Sequence, residues 1–213
     1  LAFGLTACAG GNTQKQPEKT SGSEGLEYTL SNDGEYYICS GIGTCTETEI
    51  AIASWYNDKY VTEISSSAFY DCSSLTSVTI GNSVTSIASS AFEGCSSLTN
   101  ITIPDSVTRI DSYAFSNTAY YNDNNNWEND VLYIGKYLIR AISSISGAYA
   151  IKDGTLTIAA SAFNNCSNLT SVVIPDSVTT IGDRAFEGCS SLTSVTIPDS
   201  VATIGSSAFY YCS

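Results

Sequence analysis

The sequence contains no histidine and no methionine, and only 8 Lys and Arg residues accompany 21 Asp and Glu residues. Without histidine, the Ser-His-Asp and Cys-His arrangements of nucleophilic enzymes cannot form. The net charge of −13 argues against nucleic acid as a partner, because phosphate binding needs a basic surface. No apolar run approaches the roughly 18 residues of a membrane-spanning helix. These absences favour a chain that is not an enzyme, needs no cofactor and binds no nucleic acid.

What the sequence does contain is a repeat, marked by an Ala-Phe pair. The phenylalanines of these pairs are Phe69, Phe92, Phe115, Phe163, Phe186 and Phe209. Four of the five gaps between them are 23 residues long, and the fifth is 48, two periods plus two. A fixed period in the twenties indicates a solenoid, in which no single coil can close a core by itself.

Each period predicts the same coil. Leu98, Ile101 and Ile103 have the spacing of a leucine-rich strand, and residues 104–106 (Pro-Asp-Ser) form a turn. A second extended piece follows, and Ser-x-Ala-Phe-x-x-Cys then makes a corner that we expect to be a single helical turn. We therefore predict an α/β, β-rich solenoid of stacked 23-residue coils with parallel strands and short helical corners.

The repeat SSLTSVTIPDSVTxIgxxAFxxC resembles the BspA-like leucine-rich repeats of bacterial surface proteins. The resemblance covers residues 61–213 apart from an interruption, and it is specific for the repeat rather than for an activity. It implies an adhesion or host-protein-binding role at the bacterial surface.

The N-terminal residues resemble a lipoprotein signal. Residues 5–8 (Leu-Thr-Ala-Cys) look like a lipobox, whose cysteine, Cys8, would receive lipid, and residues 1–8 would then be the end of a signal peptide. The alternative is an apolar stretch that happens to contain cysteine. Residues 9–25 have the polar, breaker-rich composition of a flexible tether. Because the chain lacks methionine and stops in mid-repeat, we expect further chain on both sides.

Two regions depart from the repeat. Residues 26–60 predict a β-hairpin cap over the first coil, ahead of the repeats at 61–115. Residues 116–160 predict an insert that replaces one coil and carries a hairpin around Gly135-Lys136, leaving the solenoid core continuous. The repeats resume over residues 161–213. Insertions of this kind are often binding surfaces.

The cysteines and the acidic residues 123–128 are the groups that could form chemical sites. Cys72, Cys95, Cys166, Cys189 and Cys212 occupy one repeat position, and parallel side chains there suit neither disulfides nor zinc, so a buried thiol ladder is predicted. Cys39 and Cys45 stand outside the ladder and could form a disulfide or remain free. Residues 123–128 lack the spacing of a calcium loop, so no metal site is predicted.

Two surfaces are candidates for binding. The outward positions of the strands are small and polar: Ser77, Thr79, Asn100, Thr102, Ser171, Ser194 and Thr196. The insert is rich in aromatic residues, notably Tyr120, Tyr121, Trp127, Tyr133 and Tyr137, which suit either a binding patch or hairpin packing.

The sequence thus predicts a lipid-anchored, extracytoplasmic module that binds extracellular or host proteins, or glycans, without catalysis. The alternative is a structural spacer that presents a further C-terminal module.

Overall fold

The computed structural model describes residues 17–212, so the predicted lipidation site Cys8 lies outside the described residues. Eighteen short strands follow one another: β1 Glu27–Leu30, β2 Tyr37–Gly41, β3 Glu49–Ala51, β4 Trp55–Tyr56, β5 Lys59–Ile64, β6 Ser77–Thr79, β7 Ser86–Ile87, β8 Asn100–Thr102, β9 Arg109–Ile110, β10 Trp127–Glu128, β11 Val131–Ile134, β12 Tyr137–Ala141, β13 Ser146–Ala150, β14 Thr157–Ile158, β15 Asn168–Val173, β16 Thr180–Ile181, β17 Ser194–Thr196 and β18 Thr203–Ile204. In the described chain, the helical elements are α1 (Ala119–Asn122) and a 3-10 turn (Asn124–Asn126), and no helix is long and apolar enough to span a membrane.

The strands stack coil on coil, as the predicted solenoid requires. The leucine-rich pieces form the parallel ladders β3-β6-β8 and β13-β15-β17, while the second extended pieces form the parallel ladders β5-β7-β9 and β14-β16-β18. The predicted fold class is therefore confirmed. We refer to residues 26–115 as the N-terminal half and to residues 142–212 as the C-terminal half.

The corners differ from the predicted helical turns. The residue two positions before each marker phenylalanine adopts a left-handed conformation, with φ between 54° and 64°. These residues are Ser67, Ser90, Tyr113, Ser161, Arg184 and Ser207. A left-handed residue interrupts helical hydrogen bonding, so each corner is a tight turn that returns the chain to the next coil.

The marker phenylalanines form two separate stacks. Phe92 lies between Phe69 and Phe115, with ring centroids 5.0 and 5.5 Å apart, and Phe186 lies between Phe163 and Phe209 at 5.0 and 5.1 Å. The rings within each stack are nearly parallel because successive coils are separated by one strand spacing of about 4.8 Å.

The central hairpin, residues 131–141, separates the two stacks. Its strands β11 and β12 pair antiparallel around Gly135-Lys136 and are buried on both faces. Leu132 and Tyr137 pack into the core of the N-terminal half, whereas Val131 and Leu138 pack into that of the C-terminal half. The expectation of a continuous core is therefore wrong, because successive side chains of an apolar strand point to opposite faces and each face has its own core.

The N-terminal hairpin is present as predicted, with β1 antiparallel to β2 and β2 parallel to β5. The described part of the predicted tether, residues 17–25, differs from expectation because it is hydrogen-bonded to the first coil. The Ser54 backbone N–H donates to the Thr20 carbonyl at 3.1 Å, and the Ser54 hydroxyl donates to the Glu18 carbonyl at 2.6 Å. Backbone pairing holds this segment even though its composition is polar.

Candidate functional site

The predicted binding face on the strands is arranged as two separate patches. Ser77 pairs in register with Asn100, and Thr79 with Thr102, on the ladder of the N-terminal half. Ser171 pairs with Ser194 on the ladder of the C-terminal half, and Thr196 pairs there with Val173. All of them are exposed or half-buried. The central hairpin thus divides the repetitive face, so a partner would meet two short surfaces rather than one long one.

Sequence reasoning missed Val173, which occupies an outward position and is 62% exposed. Its position two residues after Ser171 is a sequence signal for the outward face, because side chains alternate along a strand. A valine among apolar neighbours nevertheless reads as a core residue, and the register with Thr196 shows that it faces outward.

Three of the five predicted aromatic binding residues are packing residues. Tyr137 is 1% exposed and its hydroxyl donates to the Pro104 carbonyl at 2.6 Å. Tyr133 is also buried, and its hydroxyl lies 3.1 Å from that of Tyr149. The Tyr120 hydroxyl donates to the Tyr133 carbonyl at 3.0 Å. Burial raises the pKa of Tyr133 and of Tyr137, so both phenols remain neutral donors at ordinary pH.

Tyr121 and Trp127 are different because they border a surface cavity, which we call the Trp127 cavity. It has a volume of about 590 Å³ and is lined by Tyr121, Asn122, Asn124, Trp127, Asn129, Asp130 and Ile142. The two rings meet edge to face at 5.3 Å, and the Trp127 indole N–H donates to the Tyr121 carbonyl at 2.8 Å. Because this bond fixes the indole, its ring is held in one position beside amide and carboxylate groups that can accept and donate hydrogen bonds.

The acidic stretch beside this cavity serves local structure. The Asp123 carboxylate caps the 3-10 turn by accepting from the Asn125 backbone N–H at 2.9 Å. Within residues 17–212, no group of three or more His, Cys, Asp or Glu side chains is arranged to hold a metal ion.

The repeated cysteines act as hydrogen-bond donors between coils. The thiols of Cys95, Cys189 and Cys212 donate to the carbonyl of the marker phenylalanine in the preceding coil, at 3.0 to 3.1 Å. Burial raises the pKa of the Cys95 thiol from the ordinary 9.0 to about 12. Cys95 is therefore a neutral thiol, whereas a nucleophile would be a thiolate. The hydrogen bond with Cys189 lowers the pKa of the Cys166 thiol, so the ladder is not uniform.

Cys39 and Cys45 are both free thiols in the structure, so the disulfide considered for them is not present in it. Cys39 is fully buried, and burial raises its pKa to about 12, while Cys45 is half-buried. Cys39 therefore behaves as a core residue of the N-terminal half.

Comparison with known proteins agrees with this architecture. The sequence matches the family described as BspA type leucine rich repeat region, with 6 copies over residues 62–152 and 156–213. The crystal structure of a T. pallidum leucine rich repeat protein is 25% identical, with a TM-score of 0.51, and the match covers 92% of this chain and 89% of that chain. A leucine rich cell surface protein from Faecalibacterium prausnitzii is 28% identical, with a TM-score of 0.46, over 92% of this chain and 52% of that chain. A comparison with curated protein sequences finds no match.

Proposed function

The chain belongs to the BspA-type leucine-rich-repeat family, and from that premise we propose that it is a non-catalytic binding module displayed outside the cytoplasm. The family supports a protein-binding or adhesion-type role. We propose further that Cys8 is lipidated and that the module is held at the cell envelope by this anchor. Its partner would be an extracellular or host protein, or a glycan.

The observation that supports this function best is the Trp127 cavity. Tyr and Trp are enriched among residues that dominate binding energy, and a fixed ring loses little conformational freedom when a partner packs on it. The cavity combines that ring with Asn124, Asn129 and Asp130, whose amide and carboxylate groups can orient a partner. The outward strand patches carry mainly hydroxyl groups. They offer a second contact area, which is shallower than the Trp127 cavity.

Non-catalysis has support beyond the lack of histidine. Burial raises the pKa of the Cys39 and Cys95 thiols, the Tyr137 hydroxyl donates to a backbone carbonyl, and the Tyr133 hydroxyl is hydrogen-bonded to that of Tyr149. These groups are occupied in holding the fold, so none is poised as an acid or a base.

The experiment is binding of the intact chain to arrays of extracellular matrix proteins, mucin glycans and cell-wall fragments. Trp127→Ala is compared with Trp55→Ala, which truncates the other tryptophan of the chain, one that packs edge to face on Tyr60 in the N-terminal cap. We expect selective capture of one class by the wild type, a loss of about tenfold or more in affinity for Trp127→Ala, and little change for Trp55→Ala. No capture by the folded chain would overturn the proposal in favour of a structural spacer, and equal capture by Trp127→Ala would remove the cavity from it.

A further inference from the structure

A second cavity lies where the two halves of the solenoid meet, and we call it the junction crevice. It has a volume of about 400 Å³. Residues 108–111 of the N-terminal half form one wall. Residues 179–183, 202, 203 and 205 of the C-terminal half form the other, and Thr157 and Ala160 lie between them. It shares no residue with the Trp127 cavity or with the outward strand patches.

The crevice exists because the central hairpin takes the place of a coil. In the ladder of the C-terminal half, β14 pairs with β12 of the hairpin, where a regular coil would pair it with β9. Among the described strands β9 therefore pairs with β7 alone, and across the junction the Ala160 backbone N–H donates to the Ile110 carbonyl at 2.9 Å. This bond uses the carbonyl that an added strand would need, so a ligand in the crevice meets mainly side chains.

Thr157 gives the crevice an unsatisfied polar group. The residue is 1% exposed, and its hydroxyl is a buried side-chain oxygen without a hydrogen-bond partner in the part of the chain that the structure describes. Other buried hydroxyls are satisfied: that of Ser83 lies 2.7 Å from two carbonyl oxygens, and that of Thr155 donates to the Lys152 carbonyl at 2.6 Å. Because a buried hydroxyl without a partner is unfavourable, a ligand that supplies one gains affinity.

The charged residues around the crevice indicate the charge of the ligand that it would bind. Arg109 is neutralised by Asp111, to which it donates two hydrogen bonds of 2.8 and 2.9 Å, and Arg184 lies 3.6 Å from Glu187. Asp183, on the opposite wall, accepts from the Ser206 backbone N–H and forms no ion pair among residues 17–212. With a net charge of −13 on the whole chain, a cationic ligand is favoured here.

We propose that the junction crevice binds an extended, basic segment of a partner polypeptide. The segment lies along the crevice, places a polar group against the Thr157 hydroxyl and directs a Lys or Arg side chain to Asp183. A glycan is less suited to this site because none of the residues that line it is aromatic. Its lining instead carries hydroxyl and carboxylate groups, among them Thr108, Thr179 and Asp183, which suit the backbone and the basic side chains of a peptide.

The test is selection of a random displayed-peptide library on the intact chain, followed by titration of each enriched peptide against variants. Thr179→Trp fills the crevice from an exposed wall position. Thr85→Trp is its matched control, since Thr85 and Thr179 are both exposed and each donates its hydroxyl to the carbonyl of the preceding coil, at 3.1 and 3.2 Å. Thr157→Val keeps the shape of the buried side chain and removes its hydroxyl, and it should fold at least as stably as the wild type.

We expect enriched peptides to be basic and able to extend, to lose about tenfold or more in affinity for Thr179→Trp, and to bind Thr85→Trp unchanged. Thr157→Val should weaken them by about threefold to tenfold. Equal binding of the peptides to Thr179→Trp and to the wild type, or a failure to enrich any peptide, would overturn the inference. A glycan that binds the wild type but not Thr179→Trp would overturn it as well. None of these outcomes depends on Trp127, so the proposed function at that cavity stands or falls separately.

Discussion

In a regular coil, a core residue meets copies of itself: the ring of Phe92 lies between those of Phe69 and Phe115. In the central hairpin, a core residue meets a different environment on each side, with Leu132 in the N-terminal core and Leu138 in the C-terminal core. The coils are therefore interchangeable in their packing and the hairpin is not. The difference shows that a region which interrupts a repeat can be a deeply buried part of a solenoid, although its sequence is that of an insertion.

The largest expected effect follows from this double burial. Leu132→Ala should lower the free energy of unfolding by about 2–5 kcal/mol, because it leaves a cavity in a fully buried site. It should also reduce amide protection against hydrogen exchange in both halves, since the hairpin holds one core on each face. Leu98→Ala is the matched change within a coil, equally buried, and should reduce protection mainly in the N-terminal half. Loss of protection confined to the N-terminal half in Leu132→Ala would contradict the comparison.

A smaller effect should appear at alkaline pH and should differ between a coil and the hairpin. Cys95 lies in a coil and its pKa is raised by burial from 9.0 to about 12, while burial also raises the pKa of Tyr133 in the hairpin above its ordinary 10.0. Both groups are neutral in the folded chain and ionise more readily when it unfolds. Their stabilisation is therefore complete below pH 9 and is lost as the pH rises from 9 through 12.

Denaturant unfolding under reducing conditions, repeated at increasing pH, measures this loss. Each thiol that ionises only in the unfolded chain removes about 1.4 kcal/mol of stability per pH unit in that window. Cys95→Ala should remove its share of the slope, while tyrosinate absorbance from the hairpin should rise only as the chain unfolds. A stability that stays flat to pH 12 would show that these groups are not desolvated.

The smallest effect concerns backbone strain at the corners, which the coils share and the hairpin avoids by placing Gly135 at its turn. Tyr113 has a φ of 64°, a conformation that is unfavourable for a residue with a Cβ, and its side chain is 60% exposed. Tyr113→Gly should therefore raise the free energy of unfolding by about 0.5–1 kcal/mol, measured by thermal unfolding. Ser90→Gly, at the same corner position one coil earlier, should give a similar gain. A loss of stability in Tyr113→Gly alone would mean that the Tyr113 ring contributes more than the strain removes.

The features that the sequence predicted are those with a local or periodic signal. The Ala-Phe period located the six stacked phenylalanines, and the two apolar runs around Gly135-Lys136 located β11 and β12. The aromatic content of the insert was found, but its division between packing and surface was not, because Tyr137 and Trp127 differ only in which neighbours the fold gives them.

The features that the sequence could not predict depend on pairing between distant residues. The ordering of residues 17–25 rests on Ser54, which is 34 residues from Thr20. The junction crevice arises because β14 takes β12 as its neighbour, and no property of Thr157 itself marks it as the residue left unsatisfied. Left-handed corners escaped notice because serine, tyrosine and arginine all occupy them, so composition carries no sign of the conformation.

The similar stretches 93–115 and 187–209, which share 17 of 23 residues, lie on opposite sides of the central hairpin and have a consequence for how such a gene can change length. Unequal crossing-over that adds or removes one whole period within either half joins coils whose mating surfaces already match, so the product keeps a closed core. An exchange between the two stretches instead deletes the hairpin together with the coils between them. The remaining coils are alike, so they stack into one continuous ladder. The number of coils on each side of the central hairpin can therefore change one at a time. The hairpin has two unlike faces, so it is kept whole or lost whole.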